Sequence, residues 1–222
     1  MLAHRSLAVA LVLAALAGCK ESAPAATTTA PVTAPATNTA ANGNAAPAPT
    51  APPPAGTTRL ALSPATSRIE FVGRKVTASH EGRFDQFTGT LDLDPEHLEN
   101  SRVNVVIQMG SVQIEPARLR GHLMSPDLFN VAQFPTATFT TTSIRPGGAD
   151  GATHTVTGNL TLHGQTRGVT FPARLAVTPA AATATAEFTI NRRDFGIIYP
   201  GMPDDLIRDD VTIRLNLNAP RS

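Results

Sequence analysis

Apolar and polar residues alternate with a period of two over most of the chain beyond residue 59. Val103, Val105, Ile107 and Met109 are separated by Asn104, Val106 and Gln108. Val156, Gly158, Leu160 and Leu162 alternate with Thr155, Thr157, Asn159 and Thr161. Val169, Phe171, Ala173, Leu175 and Val177 are interleaved with Thr170, Pro172, Arg174 and other small or polar residues. Ala184, Ala186, Phe188 and Ile190 oppose Thr185, Glu187 and Thr189, and Val211, Ile213, Leu215 and Leu217 oppose Thr212, Arg214, Asn216 and Asn218. Ile69 and Phe71 begin the series, Phe87, Gly89, Leu91 and Leu93 continue it, and Thr138, Phe139 and Ile144 mark a Thr-rich strand. Successive side chains of a strand point to opposite faces, so this pattern predicts antiparallel strands with one buried face.

Eight amphipathic strands can form a sandwich or close into a barrel, and periodicity alone does not choose between them. Closure removes exposed edges, and an eight-stranded barrel has room for one small ligand. The connections fit either form. Pro146-Gly147-Gly148-Ala149-Asp150-Gly151 reads as a hairpin tip, and His163-Gly164-Gln165-Thr166 as a tighter one. Asp94-Pro95-Glu96 looks like an N-cap with Pro at the first helical position. A second short helix is expected from Glu115 or Pro116 to about Met124, with Leu119 and Leu123 on one face.

The inward parity selects Phe71, Phe87, Val105, Ile107, Leu160, Leu162, Phe171, Leu175, Phe188, Ile190, Ile213 and Leu215 as the interior lining. That lining is aliphatic and phenylalanine, in a chain with no Trp and one Tyr. It describes either a filled core or an apolar pocket.

The residues before this region differ in kind. Residues 20–58 contain 13 Ala, 8 Pro and 9 Thr and no aromatic residue. Such a segment buries too little apolar area to offset its chain entropy, so residues 19–58 are expected to be a disordered tether. As a coil it would span on the order of 35 Å, and as polyproline II at most about 120 Å. Upstream, His4 and Arg5 precede a brief apolar run that ends in Leu16-Ala17-Gly18-Cys19. A basic start, a short apolar stretch and small residues describe a secretory leader, here residues 1–18. The chain's single Cys at that point resembles the lipobox of bacterial lipoproteins. That resemblance implies a diacylated Cys19 as the mature N-terminus, anchored in a membrane. Lys20, where enterobacterial lipoproteins retained in the inner membrane carry Asp, favours the outer membrane by the same resemblance.

Within residues 59–222, 16 Lys and Arg balance 16 Asp and Glu, which gives no basis for nucleic-acid binding or a polybasic membrane patch. No cysteine remains there for a disulfide or a thiolate nucleophile. No Ser sits in a nucleophile elbow, no Gly-rich phosphate loop occurs, and the six histidines never fall at metal-ligand spacing. The sequence therefore offers no visible basis for catalysis, a metal or a cofactor. Asp204, Asp205, Asp209 and Asp210 lack calcium-loop spacing and are expected to form salt bridges with Arg192, Arg193 and Arg208. His163, in a tight turn, is expected to face solvent. His122, beside Ser125 and Asp127, reads first as a capping or packing residue. With Arg118, Arg120 and Asp127 it is also the candidate for contact with a ligand head group.

Four ordered motifs carry a family resemblance. They are Ile69-Glu70-Phe71 followed by Gly82-Arg83-Phe84-Asp85-Gln86-Phe87-Thr88-Gly89; His122-Leu123-Met124-Ser125-Pro126-Asp127-Leu128-Phe129-Asn130 running into Phe134-Pro135-Thr136; Val156-Thr157-Gly158-Asn159-Leu160-Thr161-Leu162-His163-Gly164; and Ile190-Asn191-Arg192-Arg193-Asp194-Phe195-Gly196-Ile197. In this order they resemble the YceI-like family of bacterial periplasmic proteins. The resemblance implies an eight-stranded, lipocalin-like antiparallel β-barrel that binds a long apolar chain, such as a polyisoprenoid or fatty-acyl lipid, without catalysis. The family's usual Arg-Asp pair before the His-Leu motif is replaced here by Leu119-Arg120-Gly121. Two other readings stay open: an enzyme acting on a quinone or lipid in the same pocket, and a structural envelope lipoprotein with a filled barrel.

Overall fold

The computed structural model describes Ala30, Val32, Thr33 and residues 53–221. The expected leader, Cys19 and most of the expected tether lie outside the described residues.

All eight patterned segments are strands: β3 (Arg68–Arg74), β5 (Phe87–Leu93), β6 (Arg102–Gln108), β8 (Thr136–Pro146), β9 (His154–Leu162), β10 (Gln165–Val177), β11 (Ala181–Asn191) and β14 (Asp210–Pro220). They are neighbours in an unbroken antiparallel run, β5-β6-β8-β9-β10-β11-β14-β3. The strand count is nevertheless larger than eight. β2 (Thr58–Leu62) extends one side of the run, and β4 (Ser79–Phe84) and β7 (Val112–Ile114) extend the other. β1 (Val32–Thr33) pairs with β10, which makes twelve strands in the main sheet, and β12 (Gly201–Met202) with β13 (Asp205–Leu206) forms a separate hairpin. The end strands β2 and β7 are not neighbours in this order, but Leu60, Leu62 and Leu93 pack in one cluster with Ile69, Ala182 and Ala219, so the sheet curls into a barrel left open along one seam.

Local chemistry explains the joints. The β9–β10 turn is made by His163 at φ 50° and Gly164 at φ 72°. Two successive positive φ values define the type I′ turn, whose twist matches that of the flanking strands. Phe71 and Gly82 are direct cross-strand partners, and a Cβ at 82 would lie 2.4 Å from the Phe71 ring. The bare glycine lets that ring lie flat across β4, a pairing that substitutes aromatic area for the missing side chain. Near the β5–β6 connection, Asp94 Oδ1 accepts from the Glu96 and His97 amides, at 3.2 and 3.0 Å. The element it opens is a single 3₁₀ turn, Leu98–Asn100, rather than a longer helix. The second expected helix is present as α1 (Arg118–Met124).

The tether expectation is corrected at three residues. β10 and β11 pair only between residues 174–177 and 182–185, then separate. Ala30, Val32 and Thr33 lie along that opening. Val32 and Thr33 are paired with Val169 and Gly168 of β10, and the Ala30 amide donates to Thr189 O of β11 at 2.8 Å. Ala30 is only 2% exposed. Unpaired strand edges accept any passing backbone, so pairing rather than apolar content orders this piece.

Candidate functional site

The barrel is hollow. A cavity of about 630 Å3 runs along its interior, within the range of roughly 300–1,000 Å3 typical of small-molecule sites. The filled-barrel reading is thereby excluded. Of the residues that inward parity selected, Phe71, Val105, Ile107, Leu160, Leu162, Phe171, Leu175, Phe188, Ile190, Ile213 and Leu215 lie on its wall, and so does His122. Phe87 does not. It is buried, but in a packing cluster with Leu60, Leu62, Leu93 and Val105, beside the edge where β2 pairs with β5. β2 is short and was not among the patterned strands, so its apolar residues beside β5 had no periodic trace.

The two ends of the cavity differ. At the floor, where the β10–β11 hairpin turns back, Leu62, Leu93, Leu98, Val177, Ala182 and Leu217 close it. Midway, Phe171 and Phe188 stack in parallel at 4.1 Å between ring centroids. At the mouth, polar groups appear on the wall: Arg74, Lys75, His80, Arg118, His122, Arg192, Tyr199 and Asp205. These come from the end of β3, the start of β4, α1 and the segment after β11. Arg74, Lys75, His80 and Tyr199 were not singled out by sequence, because the period-two pattern does not mark them.

The mouth groups are largely engaged. Lys75 and Asp205 form an ion pair, and Thr77 donates to the same carboxylate through its amide and hydroxyl at 3.2 and 2.9 Å. The Lys75 hydrogen bond, aided by Thr77, holds the Asp205 carboxyl below the usual carboxylate range, so it stays ionised at neutral pH. Arg74 Nη1 donates to Thr212 Oγ1 at 2.8 Å. His122 Nε2 lies 3.3 Å from Asp127 Oδ2, and its ring meets Tyr199 edge-on at 5.1 Å. His122 thus both packs and faces the cavity. Arg118 is exposed on the rim, whereas Arg120 is off the cavity wall, its Nη2 donating to Gly110 O at 3.3 Å.

Arg192 holds the mouth segment together. It is 4% exposed and donates to Ile197 O at 2.6 Å, Arg208 O at 3.1 Å and Ile207 O at 3.4 Å, with Asp209 Oδ1 at 2.9 Å. Burial lowers its guanidinium below its ordinary value, and Asp209 opposes that shift. The expected acidic network is therefore divided. Asp209 pairs with Arg192 and, at 3.8 Å, with Arg193, whereas Asp205 goes to Lys75 and Arg208 contributes backbone to Arg192.

His163 departs from its expected solvent-facing position. Its Nδ1 is 3.2 Å from Phe195 O, its ring lies 4.6 Å from Phe134, and its Nε2 is buried without a hydrogen-bond partner among the described residues. The I′ turn folds the imidazole inward over the fully buried Phe195. Among the described residues, no group of three or more His, Cys, Asp or Glu is placed to hold a metal ion.

Comparison with known proteins fits this geometry. The model of the YceI-like domain matches residues 60–219. The YceI proteins of Salmonella arizonae and Salmonella newport are each 43% identical over 94 residues, 42% of this chain and 48% of theirs. The chain thus spans about half the length of the curated relatives it matches. Among solved structures, Burkholderia cenocepacia BcnA superposes with a TM-score of 0.63 at 26% identity, over 71% of this chain and 99% of that one. A polyisoprenoid binding domain from Saccharophagus degradans gives 0.56 at 18% identity, over 75% and 99%, a likeness of fold. With the family model matching 160 of the 222 residues, this chain belongs to the YceI-like family.

Proposed function

We propose that the protein binds one long apolar chain inside the barrel, of polyisoprenoid or fatty-acyl type, and carries or sequesters it in the bacterial cell envelope without catalysis. The observation that carries this reading is the cavity itself: about 630 Å3, walled mainly by aliphatic and phenylalanine side chains, with its ionisable lining residues other than Glu70 gathered at one end. A linear amphiphile fits that division, tail toward Leu98 and Val177, head toward His122 and Arg118. The Saccharophagus degradans neighbour, described as a polyisoprenoid binding domain, supports it. Burying ten methylenes at about 0.8 kcal/mol each gives a gross driving force of about 8 kcal/mol before ordering costs.

Delipidated protein is expected to take up a fluorescent fatty-acyl or polyprenyl probe with one site per chain and low-micromolar affinity or better. Native mass spectrometry of protein from its own host should show a bound lipid. A protein that takes up neither probe and flies without added mass would end this reading.

Cys19 is the proposed attachment point, acylated and held in the outer membrane with the barrel on its periplasmic face. Cys19→Ser should abolish incorporation of labelled fatty acid and move the protein into the soluble periplasmic fraction. Membrane retention unchanged by that substitution would refute the anchor.

A further inference from the structure

We propose that the barrel docks mouth-down on a lipid bilayer, with Val76, Ile198, Met202 and Leu206 seated in the interface so that the cavity opens onto the lipid. Docking serves the apolar cargo proposed above and rests on that reading for its purpose, but it is measurable without it.

The four residues are the large apolar side chains left exposed among the described residues: Val76 at 56%, Ile198 at 64%, Met202 at 62% and Leu206 at 48%. Scattered single apolar residues on a surface need no explanation. These are not scattered. Val76 is in the β3–β4 turn, and the other three lie between β11 and β14, all at the mouth. The two loops are fastened to each other. The Val76 amide donates to Leu206 O at 3.1 Å, Lys75 bridges to Ile207, and Thr77 bonds Asp205. Their exposure is therefore a held geometry. Of the charges between them, Lys75 and Asp205 are paired with each other, which lowers the cost of bringing this rim to a bilayer, and Asp204 is exposed, where it can stay in headgroup water. Met202 also lines the cavity, so the apolar rim is continuous with the apolar wall.

The course of the tether favours the same orientation. Ten residues, 20–29, separate Cys19 from Ala30, at most about 35 Å of extended chain. Ala30 is fixed to Thr189, two residues from the mouth end of β11, roughly 7 Å along the strand. An acyl anchor on Cys19 can thus lie in the plane of the mouth. The burial of Ala30 and the pairing of Val32 and Thr33 with β10 replace a tether of 39 residues by an arm of ten. A second copy of this chain is a weaker occupant, because four side chains fall well short of the ~800 Å2 per partner of a standard interface.

The test uses the full chain with Cys19→Ser in both arms, so that acylation cannot hold it to lipid. Ile198→Asp with Leu206→Asp puts two charges among the four rim side chains, and neither residue is on the cavity wall. At high lipid concentration, vesicles of phosphatidylethanolamine and phosphatidylglycerol should carry the parent in a flotation gradient through a contact too weak to hold it to washed cell membranes, and the double variant should partition about tenfold less. The parent's uptake of a vesicle-held fluorescent fatty-acyl probe should quicken with vesicle concentration, and the variant's should not. Uptake of that probe from water should match in both, which reports an intact cavity. Equal flotation of the two, or none by the parent, overturns docking. Lipid-free dimerisation of the parent that the double variant abolishes overturns it in favour of a protein interface. A parent that floats but takes up no probe from water supports docking and removes the cargo.

Discussion

Replacing Arg192 with leucine is expected to lower the stability of the barrel by about 3 kcal/mol, toward the lower end of what removing one partner of a buried ion pair costs. The guanidinium sits at 4% exposure, and its fork is divided among three backbone carbonyls and Asp209. Leucine keeps part of the apolar stem but leaves those acceptors without their charged donor. Each such bond contributes about 1.5–3 kcal/mol. The loss is held down because Asp209, with its side chain 40% exposed, can rehydrate and keep Arg193. For a domain of this size, about 3 kcal/mol corresponds to a fall of roughly 6–12 °C in Tm. Arg192→Lys should restore less than half of it, since a single ammonium cannot serve four acceptors in different directions. Asp209→Asn, touching the exposed side of the same contact, should cost no more than about 1 kcal/mol. Thermal melts followed by circular dichroism decide the matter. A leucine variant melting within about 2 °C of the parent would mean that the bonds around Arg192 do not hold the mouth together.

Much of the barrel was legible in the chain because a half-buried strand writes its geometry into alternate residues. The Val103, Val156, Val169, Ala184 and Val211 series each alternate over seven or more residues, and each became a strand with its apolar face inward. β4 was not legible. Ser79, His80, Glu81 and Arg83 leave only Gly82 and Phe84 to mark an inner face, and Gly82 is covered by the Phe71 ring across the strand. β1 was hidden for a different reason. Its Ala-Pro-Val-Thr context looks like the rest of the tether, and what orders it is the unpaired edge left where β10 and β11 part. Such an edge is a property of the assembled sheet and has no local signature. The mouth shows the same limit. Lys75 meets Asp205, and Val76 meets Leu206, across some 130 residues of sequence, and neither contact has a periodic trace. Parity likewise placed Phe87 on the inner face correctly but could not see the packing that keeps it from the cavity wall.

Leu160→Trp and Ile107→Trp are each expected to block uptake of an apolar chain while leaving the barrel folded. Both residues are only partly buried and lie on the cavity wall, with Leu160 packed near Phe139 and Phe171 and Ile107 on the β5–β6 side. An indole there extends into open space rather than into packed side chains, so the overpacking cost of about 1–3 kcal/mol seen in tight cores is largely avoided. A linear tail reaching for the floor at Leu98 must pass the level of these residues. If the indole excludes about four methylenes from burial, the loss is about 3 kcal/mol, or roughly two orders of magnitude in affinity. Phe87→Leu supplies the opposite pattern. Buried but off the cavity wall, it should lower stability by about 1–2 kcal/mol and leave uptake unchanged. Titration with a fluorescent fatty-acyl probe, paired with a thermal melt of each variant, separates the two effects. Should Phe87→Leu weaken uptake as much as Leu160→Trp, or should both tryptophan variants bind as the parent does, the bound chain does not lie along this cavity.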